Sequence, residues 1–184
     1  LKQFYARNFI YKKLMLSYKV NLFVKGQKMS SIGNLTDALA HYRSKAGGRV
    51  PANESLINEM KNDSTFKSNF GSNGSVVKGI QSKIQEALRN GNSIVENAPG
   101  SRRGMNCDTL GSYSASIEYK HHVTPGKNSV KIRLFGSDCW DFEPSDAHSW
   151  FGNLTKEIIP GMLAGDGKPF DITYDFTITV EINA

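Results

Sequence analysis

A chain of 184 residues with 39% apolar and 22% charged side chains has the composition of a globular protein, which excludes global disorder. That length buries a core without disulfide or metal staples. The net charge of +6 is uneven, because residues 1–28 hold seven of the 23 Lys and Arg and no acid. The remainder carries 16 basic and 17 acidic side chains, so nucleic-acid binding would depend on the first segment alone.

Residues 1–28 form a basic segment rich in Leu, Phe, Tyr and Ile. Lys19 and Asn21 interrupt its apolar centre, so the segment does not fit a secretory signal. We expect a leader or added sequence before a natural start at Met29. The alternatives are a structural element and a basic arm that touches nucleic acid or anionic lipid. No apolar run in the chain reaches the length of a membrane span.

A helical part follows over residues 29–95. Apolar side chains recur there at helical spacing, and Gly47, Pro51 and Gly91 mark boundaries. We predict helices over residues 36–44, 54–62 and 75–90, with a polar loop over residues 65–74. His41 is predicted to be a surface or core-edge residue rather than a ligand.

Residues 92–111 contain the breakers Pro99, Gly100 and Gly104, which indicate a long linker. We therefore place a linker at residues 96–110, between the helical part and a β-rich activity domain at residues 111–184. Arg102 and Arg103 lie in this linker, either as solvated side chains or as an anion contact.

The C-terminal part alternates apolar and polar residues, as half-buried strands do, over residues 113–123, 130–134 and 170–182. The first two segments predict a hairpin; if Val123 opposes Val130, Asp138 and Trp140 fall at the end of its apolar face. Pro144 predicts the start of a helix that runs to about Ile159. We therefore predict an α+β fold, with a helical N-terminal part followed by an antiparallel β-sheet packed against one helix.

The two cysteines, Cys107 and Cys139, could pair in an oxidising compartment or stay as thiols. The hairpin register places Cys139 opposite about Ser114, well past Cys107. This separation argues against a disulfide unless the chain before Ser114 folds back.

Residues 137–150 gather three aspartates, a glutamate, a histidine and two tryptophans. One interpretation is structural, with the acids in turns and at a helix N-terminus and the aromatic rings in the core. The other is catalytic. Asp138 and Asp141 could hold a hard divalent cation, and His148 could act as general acid or base. Such a set suits cleavage of a phosphodiester or pyrophosphate.

Two segments carry a family resemblance: Leu110-Gly-Ser-Tyr-Ser-Ala and, after the hairpin, Phe135-Gly-Ser-Asp-Cys-Trp-Asp-Phe-Glu. With Gly-Asn-Leu-Thr at 152–155 and Phe170-Asp-Ile in the closing strand, residues 110–184 resemble the C-terminal activity domain of colicin M. The signature of that bacteriocin family is Asp-x-Tyr-Asp-Phe followed by His-Arg. The resemblance implies a secreted antibacterial toxin, a magnesium-dependent phosphodiesterase that cuts the peptidoglycan precursor lipid II on the periplasmic side. It also implies a cognate immunity protein as partner.

Carried over by position, Asp138 and Asp141 match the two signature aspartates, while Trp140 takes the tyrosine position. His148 lies one residue beyond the family's histidine, and Ser149 stands at the arginine position. The resemblance thus implies Asp138, Asp141 and His148 as catalytic residues, with Asp138 and Asp141 as Mg²⁺ ligands.

We expect substrate contacts from Trp140, Arg102 and Arg103. The alternative hypothesis is a non-enzymatic binding or assembly module that uses an aromatic patch around Trp140 and Trp150.

Overall fold

The computed structural model of the protein describes residues 28–140 and 167–184. The basic segment up to residue 27 and the predicted helix from Pro144 to Ile159 lie outside the described residues. Within the described ranges, no helix is long and apolar enough to cross a membrane.

The described residues form an α+β structure, as predicted, with the helical segment before the main sheet. The helices are α1 (Leu35–Arg43), α2 (Glu54–Asn62), α3 (Ser64–Phe70) and α4 (Ser75–Arg89). The strands are β1 (Arg49–Pro51), β2 (Ile94–Glu96), β3 (Arg102–Cys107), β4 (Gly111–Glu118), β5 (Lys120–His122), β6 (Lys127–Trp140) and β7 (Phe170–Asn183).

The main sheet has the strand order β1-β7-β6-β4-β3. Its centre is the antiparallel pair β6–β7, which runs without interruption from Lys127 opposite Asn183 to Trp140 opposite Phe170. The alternation of burial along β7 matches the predicted apolar face. The sheet is mixed rather than wholly antiparallel, because β1 from the helical part pairs in parallel with β7.

The predicted hairpin register is wrong by two residues. Ile117 lies opposite Leu134, and β4 ends at Glu118 because residues 120–122 leave it to pair with β2. Since side chains alternate with a period of two, this shift keeps every residue on its predicted face. The pairing of β4 with β6 covers only Ser116–Glu118 opposite Arg133–Phe135, so the two strands part beyond it.

Two segments predicted as irregular are ordered elements. The linker over residues 92–111 contains β2 and β3, and β3 pairs with β4 along its whole length. Met105 and Cys107 point into the core, so β3 shows the alternating burial of a strand although it contains Gly104. The loop over residues 65–74 contains α3, which presents Phe66 and Phe70 to the core.

One hydrogen bond caps the N-terminus of helix α3, and another connects the helix to β3. The Asp63 carboxylate accepts a hydrogen bond from Thr65 N at 2.7 Å, a standard N-cap. The Thr65 hydroxyl accepts one from Asn106 N at 2.8 Å. These contacts join the helix to the edge strand of the sheet.

His41 is buried rather than at the core edge. It is fully inaccessible to solvent, and its ring lies 4.5 Å from the Phe170 ring. Its Nδ1 accepts a hydrogen bond from Met29 N, and its Nε2 lies 3.2 Å from Gly47 O. His41 therefore joins α1 to the start of β7.

The structure also places His121 and the two cysteines. His121 Nε2 lies 3.0 Å from Asn128 Oδ1, so it is a hydrogen-bonded sheet histidine. Cys107 is buried and Cys139 is exposed, with no disulfide between these two described residues. Burial raises the pKa of the Cys107 thiol to about 12, which keeps it protonated.

The Asp63 cap predicts a pH-dependent contribution to stability. Its pKa is lowered: burial opposes ionisation, but hydrogen bonds from Thr65 and neighbouring backbone N–H groups outweigh it. A lowered folded-state pKa gives stability that is present above the unfolded value and lost as pH falls through the folded value. Asp63→Ala should therefore lower the free energy of unfolding by about 1 kcal/mol at neutral pH and by less below about pH 4.

Urea unfolding at the two pH values measures this difference. Asn34→Ala is the matched control, because the Asn34 side chain caps α1 through an uncharged oxygen, 2.8 Å from Thr36 N. Its loss should cost the same at both pH values. An Asp63→Ala effect that is equally insensitive to pH would contradict the prediction.

Candidate active site

A polar cleft of about 370 Å³ opens where β4 and β6 part. Strands β3, β4 and β6 contribute its walls, and their residues come from both faces of the sheet because β4 and β6 no longer pair there. The lining residues are Arg102, Gly104, Met105, Asn106, Ser112, Tyr113, Ser114, Ser137 and Asp138. The cleft therefore combines a carboxylate, a guanidinium and several hydroxyl groups.

Asp138 sits near the end of β6, opposite Ile172 of β7. It is half-buried and lies on the same strand face as the buried Trp140, as the alternation predicts. The continuous pairing with β7 fixes the backbone of Asp138 on one side, while the separation from β4 exposes the other side to the cleft.

Tyr174 bridges the gap between the parted strands. This β7 residue lies opposite Gly136 of β6, and its hydroxyl donates a hydrogen bond to Ser114 O of β4 at 2.9 Å. A Cβ at Gly136 would lie 2.7 Å from the Tyr174 Oη. The glycine is thus needed for close approach, since any side chain there would meet the crossing tyrosine.

Both charges of the cleft act on the Tyr174 hydroxyl. Burial is the largest cause that raises the Tyr174 pKa, and the negative charge of Asp138 raises it further. The positive charge of Arg102 acts in the opposite direction. The carboxylate and the guanidinium therefore lie around one buried phenol, on either side of the gap between β4 and β6.

Trp140 anchors the end of the strand that carries Asp138. Its ring is only 7% exposed and packs 5.7 Å from the Phe170 ring. Its Nε1 donates to Thr109 O at 2.9 Å. Glu59 of α2 in turn accepts hydrogen bonds from Thr109 N and from the Thr109 hydroxyl, at 2.7 and 2.8 Å. This chain of contacts, Glu59–Thr109–Trp140, ties α2 to the β3–β4 turn and to β6.

The buried Trp140 differs from the substrate contact expected of it. Its position in the core also removes it from the exposed aromatic patch of the alternative hypothesis, whose second member, Trp150, lies outside the described residues. The burial of Trp140 agrees with the alternation of the predicted hairpin, which placed this residue on the apolar face.

The structure separates the two arginines that the sequence pairs. Arg102 lines the cleft with Asp138, whereas Arg103 pairs opposite Ala115 on the other face of β3. This follows from strand alternation, which the linker prediction for this segment did not include. Tyr174, Thr109 and Glu59 were also missed, because each acts through contacts distant in sequence.

Asp141 and His148 lie outside the described residues. Among residues 28–140 and 167–184, no group of three or more His, Cys, Asp and Glu side chains could hold a metal ion. The donors around Asp138 are hydroxyl and amide oxygens from Ser112, Ser114 and Asn106. Mg²⁺ prefers oxygen donors and keeps several waters, so a carboxylate in such surroundings fits that ion.

The close approach at Gly136 predicts a coupling with Tyr174. Gly136→Ala should lower the free energy of unfolding by about 1–3 kcal/mol, because the new Cβ overlaps the tyrosine. In a Tyr174→Leu background, which removes the ring, the same change should cost much less. Thermal unfolding of the four proteins in a double-mutant cycle measures the coupling. Equal effects of Gly136→Ala in both backgrounds would disprove the contact.

No protein-family model matches the chain, and no curated protein matches it. Among solved structures, pectocin M2 is similar with a TM-score of 0.48 and 16% identity, over 98% of this chain and 61% of that chain. The bacteriocin syringacin M from Pseudomonas syringae pv. tomato DC3000 gives a TM-score of 0.37 and 19% identity, over 81% of this chain and 52% of that one.

The chain therefore spans about three fifths of pectocin M2 and half of syringacin M. Both TM-scores lie below 0.5 and both identities below 25%, so no residue role or activity is carried from them to this chain. Pectocin M2 and syringacin M are colicin M-like bacteriocins, the family whose activity domain residues 110–184 resemble.

Proposed function

We propose that the chain is a bacteriocin-like antibacterial toxin domain that cleaves a phosphodiester or pyrophosphate bond in a lipid-linked cell-envelope precursor of the lipid II type. The observation that supports this proposal is the cleft between β4 and β6, where the Asp138 carboxylate and the Arg102 guanidinium line one polar space. The resemblance of residues 110–184 to the colicin M activity domain supplies the substrate class.

Arg102 is the residue that would bind the substrate phosphate. A guanidinium presents several N–H donors in a plane and pairs with two phosphate oxygens at once. The hydroxyls of Ser114 and Ser137 add neutral donors, while that of Ser112 donates to Asn106 Oδ1 at 2.7 Å. Together they orient the phosphate against the Asp138 side of the cleft.

Asp138 and Asp141 would hold a divalent cation such as Mg²⁺, which supplies electrostatic stabilisation of the charge that develops on phosphoryl oxygens. His148 would move the proton as general acid or base, since its ordinary pKa lies close to neutral. Trp140 and Glu59 keep the end of β6 in place and are positioning residues in this scheme.

The substrate class also determines where the protein would act and which partner protein it would need. A lipid-linked precursor is exposed on the periplasmic side, so the toxin would be secreted and would act at the periplasm or cell envelope of a target bacterium. A cognate immunity protein would protect the producing cell.

Hydrolysis of purified lipid II by the full chain, with and without Mg²⁺, tests the chemistry. Asp138→Asn and Asp141→Asn should each reduce the rate by about 100-fold or more, since each removes a charge needed in the transition state. Asp171→Asn is the matched control: it lies on β7 opposite Cys139 and pairs with Arg49 at the surface. Its rate should be that of the wild type.

The toxin role is tested separately by expression in a bacterium, once in the cytoplasm and once with export to the periplasm. We expect lysis only on export, abolished by Asp141→Ala. A folded wild type that hydrolyses no lipid II, or an Asp138→Asn variant as active as the wild type, would refute the catalytic proposal. A folded wild type that inhibits growth in neither compartment would refute the toxin role in that host.

A further inference from the structure

We propose that a second cleft, between α4 and strands β3 and β4, is a binding site for a phosphate group. It has a volume of about 280 Å³ and lies on the opposite side of β3 from most of the Asp138 cleft. Its cationic lining residues are Lys83, Arg102 and Arg103; Ser75, Asn97 and Ser101 add polar groups.

The cleft is positively charged without compensation. None of its lining residues is acidic. Several other surface cations in the described part of the chain have carboxylate partners, as Arg49 has Asp171 and Lys127 has Glu181. Lys83, Arg102 and Arg103 have no such ion pair with any described residue. Lys83 and Arg103 share one concave space that no acidic residue lines, which favours an anion there.

Lys83 is held at the cleft wall by contacts that leave its ammonium group able to bind an anion. Its Nζ donates to Glu96 O at 2.9 Å and lies 5.7 Å from the centre of the Tyr119 ring. An ammonium group has three donors, so two remain for an anion. Because the carbonyl partner is neutral, the full positive charge of Lys83 also remains.

Gly79 gives the cleft its space. It lies in the interior of the 15-residue helix α4, where glycine is unfavourable relative to alanine. A Cβ built at Gly79 would meet no atom within 4 Å, so the helix leaves a gap at this point. Arg103 is exposed although it lies on the core-facing side of β3, opposite the buried Ala115.

A phosphate group suits this arrangement better than a carboxylate does. It offers three or four oxygens, enough to accept hydrogen bonds from the Arg103 guanidinium and from Lys83 at once. The source of the group is either free phosphate or the headgroup of an anionic lipid. Asp138 does not line this cleft, and neither Lys83 nor Arg103 takes part in the proposed catalysis, so phosphate binding here does not depend on it.

Isothermal titration of the full chain with inorganic phosphate, at constant ionic strength and with chloride as reference, tests the site. The wild type should bind phosphate. Arg103→Gln and Lys83→Gln should each weaken binding by about tenfold, while Arg103→Lys should weaken it less because the charge is kept. Lys131→Gln, which removes an exposed cation from β6, should leave phosphate binding unchanged.

Gly79→Leu tests whether binding needs the space of the cleft, because it leaves the cations in place. Leucine favours the helix and fills the gap, so phosphate binding should be lost while the melting temperature does not fall. Asp138→Asn should bind phosphate like the wild type, which distinguishes failure of this site from failure of the proposed catalysis.

Phosphatidylcholine vesicles with and without phosphatidylglycerol identify the source of the phosphate. Arg103-dependent binding to the anionic vesicles alone would assign the site to a lipid headgroup. Arg103-dependent binding of inorganic phosphate would assign it to the phosphate group itself. Absence of binding to both, or binding that Arg103→Gln and Gly79→Leu leave unchanged, would overturn the proposal.

Discussion

The structure depends on the pairing of β6 with β7, fourteen residues on each strand without a bulge or a break. Alternate pairs face inward, and several of them place one apolar side chain beside another, as Ile132 lies beside Ile178 and Leu134 beside Phe176. All other strands of the main sheet join this pair, β4 on the β6 side and β1 on the β7 side. The helices then cover the apolar face that the pair presents.

The candidate active site arises because β4 follows this central pair for only part of its length. A sheet that paired fully would have no opening at Asp138. The parted strands are held at a fixed distance by Tyr174, which crosses over Gly136 to the carbonyl of Ser114. The Glu59–Thr109–Trp140 chain of contacts performs the same task at the strand end. The cleft is thus built from rigid elements, which positions its charges before any ligand arrives.

How much of this the sequence could predict depends on the range of the contacts involved. β7 was predicted to within one residue because its alternation needs no information from elsewhere. Helix α2 was predicted with its observed bounds for the same reason. Helix α3 was missed because only Phe66 and Phe70 mark its apolar side in a polar segment. The register of β4 was wrong because residues 120–122 pair with β2, in a segment predicted as linker.

The candidate active site also contains some features that the sequence predicted and others that it did not. The position of Asp138 on the inner face of β6 followed from alternation alone. The hydrogen bond from Trp140 to Thr109 and the role of Tyr174 did not, because both depend on partners 31 and 60 residues away in sequence. The separation of Arg102 from Arg103 required only that their segment be recognised as a strand. Gly104 and the neighbouring Pro99-Gly100, which are typical of loops, instead led to the prediction of a linker.

The order of strands in the main sheet also governs when the protein can become folded. β7 lies between β1 and β6, although it follows β1 by more than a hundred residues in sequence. Until residues 170–183 are in place, β1 has no neighbour in the sheet and β6 lacks its longest one. The pairing of β1 with β7 therefore closes contacts across more than a hundred residues, and such long-range pairing slows folding.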